Sequence, residues 1–193
     1  MKTIKKLTIN KGFTMSEIIV SIALFTIAIL LVGSMYILAQ RSYNKGSIKG
    51  ELVQNIRVCL DRISREIRQS VNIITALPET NDDLENPPAE EIFFQDGHNI
   101  NQITYLRYYL NDTDLMRSHI AYYFDEEPET YVTWDSVDQF GDPPEKLILT
   151  NRIVGEYFNT IQFWGADNLI HISIKLTKNQ NTVNIDTSVY CRN

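Results

Sequence analysis

The sequence predicts an α+β protein, in which a long N-terminal helix packs on an antiparallel β-sheet head. The first observation is that apolar residues recur every three or four positions from Ser47 to Val71, which is the period of a helix. The second is that apolar and polar residues alternate from Leu169 to Cys191, which is the period of a half-buried strand. The third is that all six prolines lie at or beyond Pro78, so no proline interrupts a helix before that point.

The first element is an uninterrupted apolar segment, Ile18–Leu38, which contains no charged residue and no proline. Its 21 residues would extend about 32 Å as a helix, which matches the hydrocarbon core of a bilayer. Its polar residues, Ser21, Thr26 and Ser34, are small enough for a membrane helix to tolerate. We therefore predict a transmembrane helix over residues 13–39.

The second element, residues 40–77, is predicted to continue this helix in amphipathic form. Its apolar side chains form one stripe, and charged side chains occupy much of the remainder. A stripe of this kind has to be covered by another part of the protein. Gly46 and Gly50 lie between the two halves and could bend the helix. The stripe consists of Ile48, Leu52, Ile56, Cys59, Leu60, Ile63, Ile67 and Val71.

The remaining residues, 78–193, are predicted to form a β-rich head. The acidic, proline-rich segment Pro78–Glu91 is expected to be a loop. The clearest strands are the last two, which a polar turn over Thr177–Asn181 joins into an antiparallel hairpin with one buried face. A second hairpin turn is expected at Asn111–Asp114. The strand candidates are Ile92–Gln95, Gln102–Leu110, Leu115–Phe124, Tyr131–Trp134, Lys146–Leu149, Thr160–Trp164, Leu169–Leu176 and Thr182–Cys191.

Charge is distributed unevenly along the chain. The formal net charge is −6, but residues 1–12 carry four lysines and no acid, which leaves −10 for the rest. An acidic head does not suit nucleic-acid binding, because phosphate contacts need a basic face. Lysines ahead of an apolar segment orient it with its start in the cytoplasm and the head outside. The four lysines are Lys2, Lys5, Lys6 and Lys11.

The segment Lys11-Gly12-Phe13-Thr14-Met15-Ser16-Glu17, directly before the apolar run, resembles the prepilin signature of type IV pilin-like proteins. The resemblance implies that prepilin peptidase removes residues 1–12 as a leader by cutting between Gly12 and Phe13. It also implies N-methylation of Phe13. In assembled filaments of this family, Glu17 would pair with the N-terminal amine of a neighbouring subunit and set the register between subunits.

The chemistry of the residues around the implied cut is consistent with the resemblance. Glycine lets a protease approach the backbone closely, and a cut ahead of the apolar segment leaves the anchor on the mature protein. Glu17 would be costly alone in lipid, and the Phe13 amine offers a partner. An alternative remains open, since Thr14-x-x-Glu17 also has the pattern of a helix capping box. On that interpretation, Ile18–Leu38 is a plain signal anchor.

Two further segments resemble PilW-like minor pilins and J-type minor pseudopilins: Leu60–Arg68 and the ending Thr187–Asn193. Met15 and Ser16 depart from the bulkier aliphatic residues that the family commonly has there, and Ser34 replaces a proline frequent in major pilins. The resemblance implies a minor subunit in the bacterial inner membrane that helps to initiate or cap a type IV pilus, or a type II secretion or competence pseudopilus. Its implied partners are other pilin or pseudopilin subunits, the inner-membrane assembly platform and membrane lipid.

The two cysteines, Cys59 and Cys191, are both predicted to point into the core. Cys59 lies on the helix stripe, and Cys191 is in phase with the buried face of the last strand. A disulfide between them would close a loop of about 130 residues, worth roughly 4 kcal/mol at most. The alternative is two buried thiols that do not meet.

No other motif indicates catalysis, a cofactor or a metal. The histidines His98, His119 and His171 lie in no known catalytic pattern, and the acidic segments near Asp82 and Asp112 lack calcium-loop spacing. We therefore do not expect an enzyme. The alternative to an assembly subunit is a binding module, such as an adhesin head, whose working surface would be the aromatic and acidic residues from Tyr122 to Pro144.

Overall fold

The computed structural model describes residues 12–98, 102–166 and 168–191. These residues form two compact units, one of which ends at Gly46 while the other begins at Ser47. The leader lysines and the Arg192–Asn193 ending lie outside the described residues. The second unit contains all the strands and is called the head below.

Helix α1 extends over Met15–Arg68, and neither Gly46 nor Gly50 interrupts it. The predicted continuation of the helix beyond the apolar run is confirmed, but its predicted end at residue 77 is wrong. The chain leaves the helix at Arg68, where the hydroxyl of Ser70 donates to the carbonyl of Ile67 at 2.7 Å. The helical spacing of apolar residues continues to Val71, but this spacing alone does not show where the helix ends. A short strand begins after Val71 instead.

The described residues of the head form eight strands, all paired antiparallel. Strands β1 to β5 form one sheet in chain order, and β6 to β8 form a second sheet, also in chain order. Consecutive neighbours of this kind need only short hairpin connections. The strands are β1 Asn72–Ile73, β2 Ile92–Asp96, β3 Thr104–Asn111, β4 Asp114–Tyr123, β5 Glu145–Gly155, β6 Phe158–Ala166, β7 Leu169–Lys178 and β8 Asn181–Tyr190.

The α+β class and the two predicted hairpins are confirmed. Asn179 and Gln180, between β7 and β8, both have positive φ angles, 48° and 66°, as a two-residue hairpin turn requires. The strand predicted at Tyr131–Trp134 is wrong, because that segment lies in a loop and its amides bond to single groups rather than to a ladder. Strand β1 was not predicted, since two residues leave no periodic signal.

One hydrophobic core joins the helix to both sheets. Leu52, Ile56, Ile63 and Ile67 of the helix are fully buried, which confirms the predicted stripe up to Ile67. Val71, the last residue of the predicted stripe, lies beyond the helix and is 55% exposed. The first sheet contributes residues such as Phe94, and the second contributes a larger apolar set. From the second sheet these are Phe158, Ile161, Phe163, Ile170, Ile172, Ile174, Leu176, Val183 and Val189.

The crossing from the first sheet to the second depends on Gly155, the last residue of β5. A side chain at this position would place its Cβ 2.6 Å from the sulfur of Cys59 and 2.5 Å from the ring of Phe158. Only glycine therefore lets the backbone pass this close to the helix. The amide of Phe158 then donates to the carbonyl of Thr113 at 2.9 Å, which secures the start of β6 beside the β3–β4 turn.

The buried stripe makes a first prediction. Replacement of Ile63, which is fully buried, by alanine removes packed methyl groups and should lower the free energy of unfolding by about 2–5 kcal/mol. The measurement is urea unfolding of the detergent-solubilised chain, followed by tryptophan fluorescence. The matched control is Val58→Ala on the same helix, where the side chain is 63% exposed and the change should stay within about 0.5 kcal/mol. Equal losses for the two variants would contradict the assignment of the buried face.

Candidate functional site

The start of helix α1 is closed by a reciprocal set of hydrogen bonds between Thr14 and Glu17. The amide of Thr14 donates to Oε2 of Glu17 at 2.9 Å, and the amide of Glu17 donates to the hydroxyl of Thr14 at 3.3 Å. The Thr14 hydroxyl also donates to Oε2 of Glu17 at 2.9 Å. The capping box that the sequence suggested is confirmed, and it satisfies backbone groups that a helix start otherwise leaves open.

Gly12 and Phe13 precede this cap and are freely exposed. The Phe13 side chain is 83% exposed, and a Cβ built on Gly12 would meet no atom within 4 Å. No part of the described chain therefore shields the bond between them. An enzyme could approach this bond without unfolding the helix.

The apolar part of the helix has no covering inside the structure. Every residue from Gly12 to Ser47 is exposed, including the whole of Ile18–Leu38. The hydroxyl of Thr26 donates to the carbonyl of Ile22, and that of Ser34 donates to the carbonyl of Leu31, each at 2.8 Å. Bonds inside the helix lower the cost of placing these hydroxyls in lipid. The helix is long and apolar enough to cross a membrane.

In the head, the helix carries a buried carboxylate that the sequence analysis missed. Glu66 is only 7% exposed. Its Oε2 accepts from the hydroxyl of Tyr108 at 2.6 Å and from Nε of Arg117 at 3.0 Å. Nε of Arg62 lies 3.6 Å from Oε1. Glu66 therefore connects the helix to both β3 and β4.

A sequence signal for this cluster existed. The predicted turn at Asn111–Asp114 places Tyr108 directly opposite Arg117, as the strand register has them. A carboxylate on the facing helix is then the expected partner. Burial, together with the adjacent carboxylate of Glu66, raises the pKa of Tyr108 above its ordinary value, so this phenol stays protonated and remains a donor.

A second polar pair lies one step along the same sheet. His119 of β4 faces Thr150 of β5, and Nε2 of His119 and Oγ1 of Thr150 are buried without a hydrogen-bond partner among the described residues. Burial lowers the pKa of His119, and the positive charge of Arg117 lowers it further. Asp96 and Glu66 oppose this effect. His119 is therefore held in the neutral form at neutral pH.

The cysteines do not form the disulfide that the sequence analysis considered. Cys59 and Cys191 are both buried, as predicted, and both are free. The Cys59 thiol donates to the carbonyl of Val154 at 3.2 Å, whereas Cys191 lies near Ser70 at the end of the helix. Burial raises the pKa of Cys59 to about 11, so this thiol is unreactive. Of the two alternatives that the sequence left open, the structure has the second, two buried thiols that do not meet.

The other candidate residues remain apart. His98 pairs with Asp96, and His171 stacks on Trp164 and bonds to Ser188. Within residues 12–98, 102–166 and 168–191, no three His, Cys, Asp or Glu side chains are grouped so that they could hold a metal ion. No family model, curated protein or solved structure matches this chain.

The surroundings of His119 make a second prediction. Its folded pKa lies below the unfolded value of about 6.5. The head should therefore keep its full stability above pH 6.5 and lose part of it as the pH falls through the folded pKa, because the unfolded chain binds the proton first. Urea midpoints measured between pH 7.5 and pH 5 would report this loss.

The control for this prediction is His119→Gln, which keeps a polar side chain but cannot be protonated. The variant should lose the part of the pH dependence that lies near neutrality while keeping the acid unfolding that carboxylates cause. An identical pH profile in the two proteins would exclude His119 as the source.

Proposed function

We propose that this chain is a type IV pilin-like subunit, made as a membrane-anchored precursor and cut between Gly12 and Phe13. The observation that carries the proposal is the position of Glu17, a carboxylate at the first turn of an apolar helix that stays exposed among the described residues. An exposed glycine–phenylalanine bond precedes it. This combination suits a helix that moves from lipid into an assembly of similar helices.

The exposed helix explains the need for two surroundings. The large apolar side chains of Ile18–Leu38 are about half or more exposed, which makes a continuous apolar surface larger than soluble monomers present to water. Lipid covers them in the precursor. In the assembled filament, the helices of other subunits replace the lipid.

The carboxylate of Glu17 explains how the subunits would find their register. Thr14 supplies it with neutral donors, which stabilise the charge but do not neutralise it. A carboxylate inside a bundle of apolar helices needs a positive partner. The amine of Phe13, released by the cut and methylated, would supply it from the neighbouring subunit.

We infer a single-pass protein of the bacterial inner membrane with its head outside, which acts as a minor subunit that helps to initiate or cap a filament. Its partners would be prepilin peptidase, other pilin or pseudopilin subunits and the assembly platform. The filament would be a type IV pilus or a pseudopilus for type II secretion or competence. The Leu60–Arg68 stretch and the Thr187–Asn193 ending support a minor role through their resemblance to minor subunits.

A second candidate function is a surface-anchored binding module. The observation in its favour is the loop after β4, where Trp134 is 45% exposed and Phe140 is 73% exposed among acidic residues. Deletion of the protein separates the two candidates. Loss of filaments indicates assembly, whereas intact filaments with lost attachment indicate binding.

The proposed cut makes a third prediction. Gly12→Val should abolish processing by prepilin peptidase, because the β-branched side chain blocks close approach to the backbone, while the fold is unaffected since no atom lies near this position. The measurement is N-terminal sequencing of protein from cells with and without the peptidase. Phe13 should be the first residue only when peptidase and Gly12 are both present.

The matched control is Gly33→Val in the apolar run, where an added Cβ also meets nothing within 4 Å. This variant should be processed normally. A mature protein that starts anywhere other than Phe13 would refute the proposal.

The two roles of Glu17 can be separated, which makes a fourth prediction. Glu17→Gln keeps a capping side chain without its charge, whereas Thr14→Ala removes the hydroxyl of the cap and keeps the charge. If the charge pairs with the neighbouring amine, Glu17→Gln should be processed but fail to enter filaments, and Thr14→Ala should assemble. Sheared-filament yields report assembly. Assembly of Glu17→Gln together with failure of Thr14→Ala would instead assign Glu17 to capping alone.

A further inference from the structure

Residues 125–145, which comprise most of the loop between β4 and β5 and the first residue of β5, concentrate negative charge on the head. We call this segment the acidic loop. It contains eight acidic residues and no basic residue. Such a density of like charge repels itself and favours a positively charged partner. The acidic residues are Asp125, Glu126, Glu127, Glu129, Asp135, Asp138, Asp142 and Glu145.

The acidic loop has a defined shape in spite of lacking regular structure. The amide of Val132 donates to the carbonyl of Tyr122 at 2.8 Å, and the amide of Trp134 donates to the buried hydroxyl of Tyr105 at 3.1 Å. At the tip, the carboxylate of Asp138 accepts from the amides of Phe140 and Asp142, each at 2.8 Å. A preformed loop loses little entropy when it binds a partner.

The tip presents apolar side chains within the ring of acids. Phe140 is 73% exposed and Val137 is 63% exposed, although both belong to a loop that the sheet holds in place. Exposed aromatic residues on a rigid support are typical anchors of protein interfaces. The loop therefore combines an apolar anchor with negative charge around it.

The outer face of the head's helix has the complementary character. A groove of about 350 Å³ is lined by Arg57, Val58, Asp61, Arg62 and Arg65, and we call it the basic groove. Val58 lies within it and is 63% exposed. Asp61 lies 3.8 Å from Arg65, and Arg62 lies 3.6 Å from Glu66. No ion pair involves Arg57 within the described residues, so the positive charge of the groove is only partly compensated.

We propose that the acidic loop of one copy of this chain docks in the basic groove of a second copy, with Phe140 against Val58. Two acidic loops repel each other, and so do two basic grooves, so the favourable contact joins unlike surfaces. Such a head-to-tail contact joins two different surfaces of the chain and leaves one free loop and one free groove. This inference rests on the proposed function, because it names a contact between neighbouring subunits.

The fifth prediction tests the contact by cysteine cross-linking of the full chain in its membrane. Two copies with different tags are co-expressed, one carrying Val58→Cys and the other Phe140→Cys. A disulfide-linked product that carries both tags must then join two molecules. Mild oxidation should produce this mixed dimer. The parent chain gives the background, since its own Cys59 and Cys191 are buried. The matched control pairs Val58→Cys with Leu84→Cys, a 97% exposed position in the acidic, proline-rich segment Pro78–Glu91.

Charge reversal tests the chemistry of the contact. Adding Arg57→Glu and Arg65→Glu to the Val58→Cys copy should lower the dimer yield about ten-fold. Adding Glu126→Arg and Asp142→Arg to the other copy should then restore it. Asp138 stays unchanged because it closes the tip of the loop. The control, Lys175→Glu with Arg152→Glu, makes the same change in net charge elsewhere on the head and should leave the yield unaltered.

The outcomes separate this inference from the proposed function when the N-terminus of the same protein is sequenced. Normal cleavage before Phe13 without the mixed dimer would overturn the contact and leave the proposed function intact. Equal dimer yields at Phe140 and Leu84, a yield that ignores charge reversal, or cross-links only to a different protein would also overturn it. A mixed dimer that the reciprocal reversal restores would establish the contact whatever the N-terminus.

Discussion

The burial of one helix stripe on two β-sheets holds the head of this protein together. Leu52, Ile56, Ile63 and Ile67 are fully buried, and both sheets place apolar side chains in the same core. Each buried side chain of this size contributes about 1.5–3 kcal/mol. The same helix continues without a break towards its N-terminus, where its residues up to Ser47 are exposed. A single element therefore has to satisfy two environments, and the function that we propose follows from the uncovered part.

Two glutamates show how the helix manages charge in these environments. Glu66 lies in the head among Tyr108 and Arg117, whose donors replace the water that burial removes. Loss of one partner from such a cluster is costly, although an apolar replacement of the whole set often is not. We infer that the cluster fixes how the helix sits on β3 and β4 more than it adds net stability. Glu17 accepts hydrogen bonds from the amide and hydroxyl of Thr14, which are neutral donors, so a positive partner from another molecule could still neutralise its charge.

Charge is separated on the surface of the head in a way that matters for association. The exposed face of the helix is basic around Arg57 and Arg65, while every charged residue of the acidic loop is an acid. Oppositely charged surfaces steer two molecules towards one relative orientation, and the attraction between them weakens as salt screens the charges. In the assembly that we propose, the apolar helix would supply most of the attraction between subunits, and the heads would select the orientation.

The sequence by itself determined the elements whose signal is local. The apolar run, the amphipathic stripe, the capping box at Thr14 and Glu17, and the β7–β8 hairpin all follow from residues close together in the chain, because helix and strand periods and turn chemistry act over a few positions. Tertiary structure alone decided the separation of Cys59 from Cys191, the helix end at Arg68, the loop at Tyr131–Trp134 and the partners of Glu66. Each of these depends on which distant segments meet, and the free energy of such a contact depends on both segments together, so neither segment alone predicts it.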